Sequence, residues 1–142
     1  PLAPLRSMML ELRAAGIKVA VLTSDDRRFT EAFLDHHRVL DLVSTMVCAD
    51  DGLAPKPSAE PLMAICDEVG VLPEEAAMVG DSVERDVGSG LAAGFGSVIG
   101  VSSGISTEEE LHASGAHAVL PTVAHVPSAL RQRHPPTSAA PI

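Results

Sequence analysis

The sequence predicts an α/β fold, in which a Rossmann-like, three-layer parallel sheet carries helices on both faces. Short apolar runs alternate with helix-spaced amphipathic segments along the chain, an order that requires crossover connections and therefore parallel strands. The apolar runs are only lightly interrupted by polar residues, as in strands that are covered on both faces. No repeat or linker divides the chain, so we expect one domain over residues 1–134 and a disordered tail over residues 135–142.

Each element has its own local signal. Helices are expected over residues 5–16, after Asp25 or Asp26, and over residues 58–70, 83–93, 107–115 and 123–131, from helical spacing of apolar residues, capping residues and terminal glycines. Strands are expected over residues 17–22, 45–48, 76–79, 97–101 and 117–120. The predicted order is therefore helix, then strand, repeated to the end of the domain.

Composition narrows the class of protein. Of the 142 residues, 46% are hydrophobic, yet only three are Phe and none is Trp or Tyr, so the core must be aliphatic. The net charge of −9 argues against a nucleic-acid-binding surface, which needs clustered Lys and Arg. No apolar run approaches the ~20 residues of a membrane span, and no signal-peptide pattern occurs. We expect a cytoplasmic protein with no membrane or nucleic-acid partner, and read Cys48 and Cys66 as reduced core residues.

Two carboxylates follow the third predicted strand. This strand stops at Gly80, and Asp81 and Asp86 come after it. The carboxyl ends of parallel strands are where an open α/β sheet builds its site. Carboxylates without a neighbouring cysteine or histidine suit a hard cation such as Mg²⁺ better than zinc. By themselves these residues are equally typical of a turn that caps the next helix.

Two further positions carry candidate chemistry. Thr23 ends the first predicted strand, and its hydroxyl, with the backbone N–H groups that follow, could hold a phosphate oxygen at a helix N-terminus. Lys56 lies between two prolines and could neutralise a phosphoryl group or a carboxylate. Each has a plainer interpretation that is more common for a lone residue of its type: a turn for Thr23 and a solvated surface charge for Lys56.

The order of these elements resembles the haloacid dehalogenase-like (HAD) superfamily, whose members are mostly Mg²⁺-dependent phosphatases. Residues 19–24 (Val-Ala-Val-Leu-Thr-Ser) resemble its phosphate-binding motif, Lys56-Pro57 its lysine motif, and residues 79–86 (Val-Gly-Asp-Ser-Val-Glu-Arg-Asp) its acidic motif. Residues 94–101 look like the strand that follows the acidic motif. The resemblance covers roughly residues 5 to 130.

The resemblance implies a role for each matching residue. Thr23 and the Ser24 amide would bind the phosphoryl group of a small phosphorylated metabolite, and Lys56 would pair with the nucleophilic aspartate and the phosphate. Asp81 would bind Mg²⁺ directly, and Asp86 would support the metal or its waters. A divalent cation with one lysine balances the two charges of a phosphomonoester.

One family motif has no counterpart in the sequence. The superfamily's first motif is a strand ending in Asp-x-Asp, with the nucleophile as its first Asp. The pairs Asp25-Asp26 and Asp50-Asp51 are adjacent residues at other places in the order. We therefore expect a C-terminal portion of a HAD core, lacking the central strand and the cap and inactive alone. Either this portion self-associates or an N-terminal segment complements it.

Two other functions stay open at this level. The first is a non-catalytic HAD-like module kept for binding or assembly. The second is carbon–halogen cleavage, as in the haloacid dehalogenases themselves. Asp81 and Asp86 lean against the second, because dehalogenases do not need Mg²⁺.

Overall fold

Six helices and five strands alternate along residues 3–102 and 104–133, which the computed structural model describes. The helices are α1 (Ala3–Ala14), α2 (Arg27–His36), α3 (Glu60–Val69), α4 (Gly88–Ala92), α5 (Glu108–Ala113) and α6 (Val126–Arg133). The strands are β1 (Val19–Leu22), β2 (Val43–Val47), β3 (Ala77–Gly80), β4 (Ser97–Val101) and β5 (Ala118–Leu120). The predicted tail, residues 135–142, lies outside the described residues.

The helix boundaries follow the capping chemistry of the sequence. Asp26 rather than Asp25 begins α2, because its carboxylate accepts the Phe29 N–H at 2.7 Å. Gly70 ends α3 in the left-handed conformation, with φ of 76°. Ser58 is the first residue of the helix predicted over residues 58–70; it accepts the Glu60 N–H at 3.1 Å, but Ala59 rather than Ser58 occupies the N-cap position of α3.

The helix predicted over residues 83–93 divides into two parts. The wider π-helical turn Val83–Val87 precedes α4. Within this turn the carboxylate of Asp86 points back to the strand end and accepts the backbone N–H of Asp81. The structure therefore has a helix where one was predicted, but its first turn is π rather than α, a geometry that is frequent at functional sites.

All strand pairs are parallel, as predicted, but they form two separate sheets. β1 pairs with β2, and β3, β4 and β5 pair in that order. Among the described residues no strand pairs with the other edge of β1 or of β3. The predicted α/β class is confirmed, and the sheet is interrupted between β1 and β3.

Helices cover both faces of the strands. On one face Leu12 of α1 and Val126 of α6 pack with Ala77. On the other face Leu62 of α3 packs with Met78, the next residue of the same strand. Because neighbouring side chains of a strand point to opposite faces, this alternation defines three layers. The buried hydrophobic residues are almost all aliphatic, with Phe95 as the aromatic exception among those described.

Both cysteines are free thiols in the core. Cys48 and Cys66 are 3% and 2% exposed, and burial raises the pKa of each thiol. The prediction of reduced core cysteines fits this placement. None of the described helices is both long and apolar enough to cross a membrane.

The predicted capping box at α5 forms in full and can be tested. Thr107 Oγ1 accepts the Glu110 N–H at 3.1 Å, and Glu110 Oε1 accepts the Thr107 N–H at 3.0 Å. These bonds hold the pKa of Glu110 below its usual value. We expect Thr107→Ala to lower the free energy of unfolding by about 1 kcal/mol in urea denaturation. Thr107→Ser keeps the hydroxyl and should cost much less; equal losses would contradict the assignment.

Candidate functional site

Thr23, Ser24 and Lys56 line one cavity at the carboxyl ends of β1 and β2. Its volume is about 200 Å³, and its other walls come from the end of β2, the loop before Lys56 and the start of α3. Thr23 Oγ1 accepts the Asp25 N–H at 3.1 Å, which closes the turn from β1 into α2. No carboxylate is among the described residues that line this cavity. The structure thus brings together the residues predicted to bind phosphate.

Lys56 also forms an ion pair that the sequence did not predict. Its Nζ donates to Asp86 Oδ1 at 2.6 Å, and the two side chains are 11% and 10% exposed. The other oxygen, Asp86 Oδ2, accepts the backbone N–H groups of Asp81 at 3.0 Å and Ser82 at 3.2 Å. Asp86 therefore connects the lysine of the cavity to the backbone that carries Asp81.

Gly80 leaves the space that Asp86 occupies. A Cβ built on Gly80 would lie 2.2 Å from the Cβ of Asp86 and 2.5 Å from its Oδ2. No real side chain fits at such distances, so only glycine lets the carboxylate reach the amides beyond the strand end. Gly80, where the third predicted strand stops, is thus required by the close approach of Asp86.

Asp81 is held by the loop between β4 and α5. Its Oδ2 accepts the Ile105 N–H at 3.3 Å, and its backbone carbonyl accepts the Ser106 N–H at 2.9 Å. Ser106 Oγ in turn accepts the Val83 N–H at 3.0 Å. The sequence reading did not single out Ile105 or Ser106, which no motif marks. Asp81 Oδ1 is not engaged by any of the described residues.

An arginine network fixes the start of α2 against the end of β2. Arg27 Nη2 donates to Asp51 Oδ2 at 2.7 Å and to the Met46 carbonyl at 3.0 Å, while Asp50 Oδ1 accepts the Arg27 backbone N–H at 3.0 Å. The Arg27 hydrogen bond lowers the pKa of Asp51. Asp50 and Asp51 are exposed, and their bonds to Arg27 fix the turn that contains Thr23 relative to the loop that leads to Lys56.

The carboxylate oxygens near the cavity can be compared with the coordination that Mg²⁺ requires. This ion takes oxygen ligands, often one or two carboxylates, and retains several waters. Asp81 has an oxygen free of described partners, whereas both oxygens of Asp86 already accept hydrogen bonds. Among the described residues no group of three His, Cys, Asp or Glu side chains surrounds a possible ion. These residues fit a largely hydrated Mg²⁺ that is held by Asp81, while Asp86 bonds to the backbone of Asp81.

Comparison with known proteins identifies the family. The model of the haloacid dehalogenase-like hydrolases matches residues 1–100. The chain is 30% identical over 105 residues to a phosphoglycolate phosphatase from Psychrobacter arcticus, and 30% identical over 87 residues to an N-acetylmuramic acid 6-phosphate phosphatase from Pseudomonas aeruginosa. These matches cover 74% and 61% of the chain but only 45% and 38% of the relatives. The chain thus spans less than half the length of both relatives.

Solved structures agree with this assignment. A haloacid dehalogenase-like hydrolase from Bacteroides fragilis superposes with a TM-score of 0.78 at 28% identity, over 84% of this chain and 56% of that one. A HAD family hydrolase from Deinococcus radiodurans gives a TM-score of 0.82 over 98% of this chain and 61% of that one. At 24% identity the latter supports the fold alone. On the match over residues 1–100, the chain belongs to the haloacid dehalogenase-like hydrolases.

Proposed function

We propose that this chain carries the phosphate-binding and Mg²⁺-binding side of a phosphomonoester hydrolase site. The observation that carries the proposal is the double role of Lys56. It lines the cavity shared with Thr23 and Ser24, and it bonds to Asp86, which holds the backbone of Asp81. The two relatives named above are phosphatases of phosphomonoesters, which supports a small phosphorylated metabolite as the substrate.

Each residue has a separate task in this proposal. The Thr23 hydroxyl and the Ser24 N–H donate to phosphoryl oxygens, at the start of a helix whose dipole favours an anion. Lys56 adds a fixed positive charge on the cavity wall. Asp81 holds Mg²⁺, and Asp86 orients the Asp81 backbone. When bound, Mg²⁺ supplies further positive charge for the phosphoryl oxygens.

The reacting carboxylate is the part that this chain does not supply at its cavity. The described lining residues offer hydroxyl, amide and ammonium groups but no carboxylate. We therefore propose that the chain alone binds phosphate without turnover and that another segment supplies the nucleophile. We also place the protein in the cytoplasm, a location that suits two free thiols.

Phosphate binding tests the proposed roles. Thr23→Val should weaken the affinity for inorganic phosphate, measured by calorimetry with Mg²⁺ present, by about tenfold or more, because a hydrogen bond to a charged group contributes about 1.5–3 kcal/mol. Thr23→Ser keeps the donor and should bind nearly as well as the unmodified chain. Asp81→Asn should remove the Mg²⁺ dependence while leaving the weaker, metal-free binding.

Three results would count against the proposal. Equal phosphate affinities for Thr23→Val and the unmodified chain would remove the phosphate site. Mg²⁺-dependent hydrolysis of p-nitrophenyl phosphate by the chain alone would show that it needs no further carboxylate. Binding without hydrolysis in every condition, even with the missing motif supplied as a peptide, would favour the non-catalytic binding module.

A further inference from the structure

We propose that a cavity at the amino ends of β1 and β2 binds a small oxyanion, the phosphate or carboxylate group of a metabolite. This cavity lies at the opposite end of β1 from the cavity of Thr23, about 13 Å away, because each of the four residues of β1 adds about 3.3 Å. The inference goes beyond the phosphomonoester site and does not depend on it. It rests on the charges in the lining, the partners of those charges and an irregularity in the pairing of β1 with β2.

The amino-end cavity is lined by Arg13, residues 16–19 and residues 41–44, and its volume is about 310 Å³. Gly16 has φ of 80° and turns the chain from the end of α1 toward β1. This turn brings the basic residue of the last turn of α1 to the same cavity as the first residues of both strands. The volume is at the lower end of the range for small-molecule sites, about 300–1,000 Å³, so the ligand must be small.

Two cations in the lining have no carboxylate partner among the described residues. The guanidinium of Arg13 donates no hydrogen bond to any of these residues. Lys18 Nζ donates to the Val69 carbonyl at 3.1 Å, which leaves two of its three N–H groups for other acceptors. In a chain with a net charge of −9, these two cations make the amino-end cavity a local place of positive potential.

The carboxylate in the lining is already paired with another residue. Asp41 accepts two hydrogen bonds from Arg6, at 3.0 Å to Oδ1 and at 3.3 Å to Oδ2. The bond from Arg6 is the main reason why the pKa of Asp41 lies below its usual value, and the charge of Arg13 adds to it. Asp41 therefore balances the charge of Arg6, and the charges of Arg13 and Lys18 remain for a ligand.

A β-bulge adds a hydroxyl group to the same lining. Val19 pairs with Val43 but Ala20 pairs with Thr45, so Ser44 is an extra residue without a partner in β1. Its side chain is exposed, and none of the described residues bonds to its hydroxyl. The bulge thus places a further hydrogen-bond donor at the cavity that Arg13 and Lys18 line.

These groups select the chemistry of the ligand. A guanidinium fork and an ammonium are the side chains that bind phosphate and carboxylate oxygens best. A metal cation would be repelled by both, and an apolar molecule would leave their N–H groups without acceptors. An oxyanion accepts from all three donors and offsets the two positive charges, which fits both the lining and the small volume.

An NMR titration of the full chain labelled with ¹⁵N tests the proposal. Inorganic phosphate and acetate are added in separate titrations at constant ionic strength, so that screening of charges does not change. The amides of residues 16–18 and 42–44 report on the amino-end cavity, and those of Thr23 and Ser24 report on the other cavity. Because the two sets are followed separately, failure at one cavity is distinguished from failure at the other.

Four variants give the test its specificity. Arg13→Gln and Lys18→Gln each remove one charge, and Gln at residue 18 keeps an N–H donor for the Val69 carbonyl. Arg28→Gln is the matched control, because Arg28 is an exposed arginine on α2 outside this cavity. Asp41→Asn removes the negative charge of the lining. The dispersion of the amide spectrum shows whether each variant is folded.

The expected result is saturable movement of the amino-end amides with at least one anion. Arg13→Gln and Lys18→Gln should each raise the Kd at these amides by about fivefold or more, because charge-assisted hydrogen bonds within a cavity exceed exposed ion pairs. Arg28→Gln should change this Kd by less than about twofold. Asp41→Asn should lower the Kd, because a like charge is removed. The anion that binds more tightly identifies the group as phosphate or carboxylate.

Any of four results would overturn the proposal. One is the absence of saturable movement at the amino-end amides with either anion at concentrations on the order of 10 mM. Another is a Kd that neither Arg13→Gln nor Lys18→Gln changes, which would show binding elsewhere. An equal rise in Kd for Arg28→Gln would attribute the effect to net charge. Weaker binding to Asp41→Asn would contradict an anionic ligand in this lining.

Discussion

Lys56→Met is expected to lower the free energy of unfolding by about 3 kcal/mol, because it leaves the Asp86 carboxylate uncompensated in a largely buried place. The pair is short, 2.6 Å, and both side chains are about one-tenth exposed. The two hydrogen bonds from backbone amides to Asp86 remain. The expected loss in the free energy of unfolding therefore lies at the lower end of the range for broken buried ion pairs. Urea denaturation followed by circular dichroism measures the change.

A mutant cycle separates the ion pair from other effects of the substitution. In Asp86→Asn alone, the side-chain NH₂ group must face another hydrogen-bond donor, which is either the Lys56 ammonium or the backbone amides. In the double variant the Asn carbonyl can face the amides while its NH₂ faces the methionine. The double loss should therefore be smaller than the sum of the single losses by about 1 kcal/mol or more.

The exposed Arg28 provides the matched control. Arg28→Met removes a positive charge from the surface of α2 and should change stability by no more than about 0.5 kcal/mol. Additive losses in the cycle would mean that Lys56 and Asp86 do not interact. A loss for Arg28→Met as large as that for Lys56→Met would attribute the effect to net charge.

Gly80→Ala is expected to destabilise the protein by about 3 kcal/mol or more, since overpacking in a tight place costs at least 1–3 kcal/mol and this one also displaces a carboxylate. The added methyl would lie 2.2 Å from the Cβ of Asp86. Asp86 would have to leave the amides of Asp81 and Ser82. Thermal and urea denaturation measure the stability, and phosphate calorimetry measures the loss at the site.

Gly52→Ala serves as the control for glycine removal in general. Gly52 has φ of 79°, and a Cβ there would meet no atom within 4 Å, so alanine costs only the left-handed backbone, about 1–2 kcal/mol. Phosphate affinity should stay unchanged in this variant. If Gly80→Ala proved no worse than Gly52→Ala and bound phosphate normally, the close approach of Asp86 would not matter.

The sequence alone predicted the elements and named the candidate residues. Apolar periodicity, caps such as Asp26 and Thr107, and the glycines that end helices act within a few residues, so they can be read without knowing the fold. The order of Thr23, Lys56 and Asp81 along the chain indicated the family, which the match over residues 1–100 then confirmed. Their roles toward phosphate and Mg²⁺ remain predictions.

Only the tertiary structure decided how these residues are connected. The bond from Lys56 to Asp86 joins residues 30 positions apart, and those from Ile105 to Asp81 and from Arg27 to Asp51 span 24 positions each. Such contacts depend on how the helices pack the strands against each other, which no local pattern encodes. The interruption between β1 and β3 is different, because the sequence already indicated it: the motif whose strand would lie at the centre of the sheet has no counterpart in the chain, and no described strand pairs with these two edges.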